Sequence, residues 1–216
     1  MRLNLLRGHF QIKNSCSLSC WKFVVCCLLL LSGCAAMQQQ TAVKTIFTEP
    51  VADSQIVKAG PFNLLGRISI QNGHQRHSGS IRWQHTHTND EILLFSPFGQ
   101  AVAEIWQDQD GARLITSKQE TFFAEDMEKL TAEILGWRLP LNGLQYWIQG
   151  HHSPYTASAK DINHEERVIA IRQDNWHIHY NRFFPDQPEQ IARPRVLELN
   201  YQDLKIRMVV DNWEAK

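Results

Sequence analysis

The most reactive groups in this chain are five thiols, and Cys16, Cys20, Cys26, Cys27 and Cys34 all fall in its first 34 residues. The 182 residues that follow contain none, which excludes a disulfide framework, a thiolate metal site or a cysteine nucleophile downstream. Two histidine pairs, His85/His87 and His177/His179, have the i, i+2 spacing that puts both rings on one face of a strand. Four such nitrogens would suffice for zinc, and a zinc-dependent enzyme is one reading. Ordinary strand histidines are the other, since no Asp or Glu stands beside either pair in a ligand motif. The chain has no G-x-S-x-G elbow, no H-E-x-x-H and no phosphate-cradling glycine loop. The expectation is no catalytic residue, no metal site and no cofactor.

Cys34 is set apart by what precedes it. Residues 23–33, FVVCCLLLLSG, form an apolar run behind Arg2, Arg7, Lys13 and Lys22, the anatomy of a secretory signal. Eleven residues are too few to span a bilayer core, which needs roughly 20. Leu31-Ser32-Gly33-Cys34 resembles the bacterial lipobox. That resemblance implies removal of residues 1–33, diacylation of the Cys34 thiol and acylation of the new amine. Ala35, where Asp would favour inner-membrane retention, points to the periplasmic face of the outer membrane. A buried methylene contributes about 0.8 kcal/mol, so two or three acyl chains make desorption negligible.

The overall balance of 22 basic and 22 acidic residues hides an asymmetry. With the four cations of residues 1–33 set aside, the remainder holds 18 basic and 22 acidic groups. A mildly acidic chain of this kind is not a nucleic-acid binder advertised by bulk charge.

The elements that would position a site follow from periodicity. Residues 34–61, with Gln38-Gln39-Gln40, Pro50, Gly60 and Pro61, read as a lipid-anchored tether with a helical turn or two around residues 53–58. From Phe62 the apolar period becomes two, through Leu64, Ile68 and Ile70, and Asn72-Gly73 leads into Gly79, Ile81, Trp83 and His85. Further strands read at 91–96, 101–107, 112–117 and 120–124, and later at 167–173, 176–182, 195–201 and 204–210. Between these groups, Met127, Leu130, Ile134 and Leu135 fall at helical spacing, and residues 142–149 read as a second short helix after Pro140. Residues 62–216 are thus expected to be mainly β with an α lid, a sheet that curls and is covered by its helices.

One loop stands out. In Ser96-Pro97-Phe98-Gly99, Pro and Gly supply turn chemistry and the residue between them is large and apolar. Phe98 either folds back onto its hairpin or presents a wedge to membrane or cargo.

With these residues in place the chain resembles the LolB family of outer-membrane lipoprotein receptors. The stretches that carry the resemblance are the lipobox, Ile81-Arg82-Trp83-Gln84, Ser96-Pro97-Phe98-Gly99, Leu139-Pro140-Leu141, residues 144–150 (LQYWIQG), residues 175–180 (NWHIHY) and Asp211-Asn212-Trp213. Their order and spacing span nearly everything from Phe62 to Trp213. The segment before Phe62 departs from the family, which has a longer amphipathic helix with its own tryptophan there. The resemblance implies an incomplete antiparallel β-barrel of about ten to eleven strands, enclosing a hydrophobic cavity covered by short helices. It implies an acceptor of acylated lipoproteins from the periplasmic carrier LolA, acting as a monomer and delivering to outer-membrane lipid without nucleotide hydrolysis. Strand alternation then nominates Ile68, Ile81, Trp83, Leu94, Ile105, Trp147, Trp176, Ile178 and Tyr180 as cavity wall, and the resemblance nominates Pro97, Phe98 and Gly99 as the membrane-delivery loop. An assembly lipoprotein that binds protein partners through its sheet edge, with no lipid cavity, is the competing reading.

Overall fold

A computed structural model describes residues 41–52, 57–185 and 192–214. Alternation of apolar and polar residues builds twelve antiparallel strands into one sheet, because each strand can bury one face only. In chain order they are β1 (Lys44–Thr48), β2 (Phe62–Asn72), β3 (Gln75–His85), β4 (Asp90–Phe95), β5 (Ala101–Gln107), β6 (Ala112–Thr116), β7 (Thr121–Ala124), β8 (Ser158–Ile162), β9 (Val168–Gln173), β10 (Trp176–Phe183), β11 (Pro194–Tyr201) and β12 (Leu204–Glu214). Two helices, α1 (Met127–Leu135) and α2 (Leu141–Trp147), separate β7 from β8.

The spatial order is β1-β8-β9-β10-β11-β12-β2-β3-β4-β5-β6-β7. Hairpins account for nearly every neighbour. The exceptions are β12 against β2, which joins the two halves over a ten-pair register from Leu204↔Asn72 to Glu214↔Asn63, and β1 against β8. Among the described residues the edges β1 and β7 do not pair with each other, so the barrel stays open.

The count is twelve strands, two more than the ten that periodicity resolves. The additional pair is β1 with β8. β1 lies inside the stretch read as tether, where Lys44↔Ile162 to Thr48↔Ser158 pair and Thr45 Oγ1 donates to Asp161 Oδ1 at 2.7 Å. The helical turn expected around residues 53–58 falls largely outside the described residues.

The buried face forms one continuous cluster running from Ala59 to Val210 and including Trp83, Trp147 and Trp176, each at most 2% exposed. Residues 40–216 make up one unit around it. Neighbouring backbones approach most closely at two strand glycines. A β-carbon on Gly66 would stand 2.5 Å from the Val209 carbonyl oxygen, and one on Gly79 would collide with that of Phe95.

Candidate functional site

Both helices lie against the buried face of the sheet. α1 begins at Asp126, whose Oδ1 accepts from the Lys129 N–H at 2.8 Å, and ends at Gly136 in the left-handed conformation, φ 78°. It buries Met127, Leu130 and Thr131. The Thr131 hydroxyl donates to the Met127 carbonyl at 2.9 Å and accepts from the Leu139 N–H at 3.0 Å, which ties the connection between the helices to the first turn of α1.

α2 is held more firmly. It buries Leu141, Leu144, Tyr146 and Trp147, and Gly143 leaves room for the Trp147 ring, which a β-carbon at that position would strike. The Trp147 indole donates to Gln173 Oε1 at 2.9 Å, and the Tyr180 hydroxyl donates to the Trp147 carbonyl at 2.7 Å. Gln173 completes the latch. Its Oε1 also accepts from the Ser153 N–H at 2.9 Å, and its Nε2 donates to the Ser153 and Thr156 carbonyls at 2.8 and 2.9 Å. Full burial pushes the Tyr180 phenol far above its ordinary pKa, so it stays a neutral donor. Burial and the Tyr155 hydroxyl push Tyr146 up to about 12.

All nine side chains nominated as wall face this interior, none more than 7% exposed. Register explains the grouping, since Ile81 pairs with Leu94 and Ile178 with Ile171. Ile92, Leu114, Leu144, Ile171 and Leu199, all fully buried, belong to the same face, and the same alternation or helical spacing marks them. Each such side chain contributes about 1.5–3 kcal/mol on burial. A pocket of about 220 Å³ sits at the seam of α1 and α2, with Met127, Leu141, Gly143, Trp147 and Trp176 in its lining. That is smaller than the roughly 300–1,000 Å³ of ordinary ligand sites.

The histidine pairs do not converge. His85 is buried, and its Nδ1 lies 2.8 Å from Asp90 Oδ1, which also accepts from the Trp83 indole at 2.7 Å. His87 is exposed, and His177 and His179 alternate outward on β10 while Trp176, Ile178 and Tyr180 point in. Opposite faces of a sheet cannot share a tetrahedral ion, and among the described residues no group of three or more His, Cys, Asp or Glu is placed to hold a metal.

At the β4–β5 connection, the Gly99 N–H donates to the Ser96 carbonyl at 2.9 Å and the Ser96 N–H to the Gln100 carbonyl at 2.8 Å. Gly99 has φ 79°. The turn holds Pro97 and Phe98 at its corners, and the Phe98 side chain is 91% exposed. Among the described residues this apolar ring, held in water by its own turn, has nothing to pack against. Cys34 lies outside the described residues, among which no helix is long and apolar enough to cross a membrane.

Sequence comparison gives a consistent result. The family model described as "Outer membrane lipoprotein LolB" matches residues 60–213. The outer-membrane lipoprotein LolB of Nitrosomonas europaea is 42% identical over 200 residues, covering 92% of this chain and 94% of that protein. The protein of the same name from Thiobacillus denitrificans is 36% identical over 185 residues, covering 86% and 92%. Among solved structures, a LolA superfamily protein from Nitrosomonas europaea aligns with TM-score 0.49 at 10% identity, over 76% of this chain and 90% of that one.

Proposed function

The chain belongs to the LolB family of outer-membrane lipoproteins, and on that footing we propose how its buried face and exposed loop divide the work of a lipoprotein receptor. The protein is an outer-membrane lipoprotein receptor and not an enzyme, and its dealings are with lipoprotein cargo and the LolA carrier.

The reading rests on a single observation: an apolar face of aromatic and branched side chains covered by two short helices that are fastened unequally. Acyl chains are recognised by non-directional apolar contact, which suits a receptor whose cargo proteins differ in everything but their lipid. To admit a chain, one helix must leave the sheet. Lifting α1 exposes Met127 and Leu130, at a cost of about 3–6 kcal/mol, and gives up the hydrogen bond from Asn72 Nδ2 to the Gly136 carbonyl at the exposed end of the helix, whereas lifting α2 breaks the buried Trp147, Gln173 and Tyr180 hydrogen bonds and exposes four large apolar side chains. The acyl chain itself, at about 0.8 kcal/mol per methylene, offsets the smaller cost. In this reading α1 moves and α2 stays, and the chain comes to lie along Ile81, Trp83, Leu94, Ile105 and Trp147.

Cys34 carries the anchor at the periplasmic face, Phe98 enters the bilayer during delivery, and the protein acts as a monomer. Transfer without a nucleotide requires only that affinity rise from carrier to receptor to membrane.

The test is transfer of an acylated lipoprotein from the carrier to residues 40–216, with unacylated cargo as control. Acyl-dependent transfer is expected. A folded domain that binds both cargoes alike, or neither, favours the competing assembly-lipoprotein reading.

A further inference from the structure

The outer face of the sheet is charged in a way that the whole chain is not. On the five neighbouring strands β10, β11, β12, β2 and β3, the outward positions carry Arg182, Arg195, Lys205, Arg207, Arg67, Arg76 and Arg82. Against these seven cations stand Glu198, Asp211 and Glu214. The remainder of residues 34–216 holds 11 basic and 19 acidic groups, so the cations are gathered on this face.

Pairing sharpens the asymmetry. Arg67 meets Asp211 at 2.8 Å and Arg207 meets Glu198 at 2.5 Å, both exposed pairs. Arg76, Arg82, Arg182 and Lys205 are exposed and form no ion pair among the described residues. The face is continuous with the β4–β5 loop. A hollow of about 490 Å³ is lined by Arg67, Ser78, Ser80 and Arg207 from the strands and by Pro97 and Gly99 from the loop. The one solvent-held aromatic of that loop therefore stands at the border of the cationic face, beside the paired Arg67 and Arg207, with the unpaired cations farther along the same strands.

We propose that this outer face docks on a bilayer surface bearing anionic phospholipid headgroups, so that Phe98 meets the membrane in a fixed orientation. The proposal rests on the reading of Phe98 as the membrane-delivery residue and adds the surface that aims it. A surface cation near an anionic leaflet is attracted by about 1 kcal/mol, roughly fivefold in binding, and the attraction falls off within a Debye length. An apolar tip alone makes no distinction between neutral and anionic lipid.

The experiment uses residues 40–216, which contain the whole described core, with vesicles of phosphatidylcholine alone and vesicles one third phosphatidylglycerol. The domain should bind the anionic vesicles at least tenfold better. The triple substitution Arg76→Gln, Arg82→Gln, Lys205→Gln should remove roughly a hundredfold of that binding while leaving acylated-cargo transfer from the carrier unchanged. Equal binding to the two vesicles, binding to neither, or full binding by the triple variant overturns the proposal. Failure of the unsubstituted domain to accept acylated cargo would instead sink the receptor reading, so the two fail separately.

Discussion

Trp147 and Gln173 lie 26 residues apart and meet through an indole-to-amide hydrogen bond of 2.9 Å that fastens α2 to the buried edge of β9. Replacing Gln173 with Leu strips the Trp147 N–H and the Ser153 N–H of their shared acceptor. An unsatisfied buried donor costs about 1–3 kcal/mol, so thermal unfolding of the variant should fall by several degrees. An unchanged melting temperature would mean that α2 is held by packing alone.

Gly143→Ala sets two effects against each other. Alanine favours a helix over glycine by about 1 kcal/mol, but its β-carbon strikes the Trp147 ring, and overpacking costs about 1–3 kcal/mol. Net destabilisation with a shifted tryptophan emission is expected, and a stabilised variant would show that the ring moves freely.

Phe98→Glu should leave melting temperature and carrier-to-receptor transfer within error of the parent, because the side chain is 91% exposed. Release of cargo into vesicles should drop severely. Should the variant unfold, Phe98 is part of the core and its wedge role is wrong.

Half-buried His152 has its pKa held below the ordinary 6.5 by burial, with repulsion from Lys160 and His151 adding to it. The unfolded chain therefore takes up this proton first. Stability is full above pH 6.5 and declines as pH falls from there through the lower folded value. His152→Gln should flatten that part of the stability profile, read from denaturant midpoints between neutral and mildly acidic pH.

Cys34→Ala removes the thiol on which the lipid anchor is proposed to form. The full-length variant should lose fractionation with the outer membrane, and retention there would assign the anchor elsewhere.

The buried face was the most legible part of the chain, for period-two alternation in segments such as Ile81-Arg82-Trp83 carries direct information about which side is dry. The helices were readable from Met127, Leu130 and Pro140 within two residues of their observed ends. β1 and β8 were not. Each is five residues long, they pair with each other across more than a hundred positions, and Ser158-Ala159-Lys160-Asp161-Ile162 shows no clean alternation even though it also pairs with the neighbouring β9. Nor does any local pattern say that Gln173 is buried, because its partners Trp147, Ser153 and Thr156 come from the helix and the loop after it. The turn at Ser96–Gly99 was legible in its chemistry, while the exposure of Phe98 required the surrounding surface.

Pairing of β1 with β8 shortens the covalent span between the proposed anchor at Cys34 and the sheet. If an anchor at Cys34 led by slack chain all the way to Phe62, 27 intervening residues could stretch to about 90 Å, at roughly 3.3–3.6 Å each. With Lys44 already locked into the sheet, nine residues remain and the limit is about 30 Å. On the proposal that Cys34 carries the lipid, the shorter span raises the effective concentration of the sheet against the bilayer.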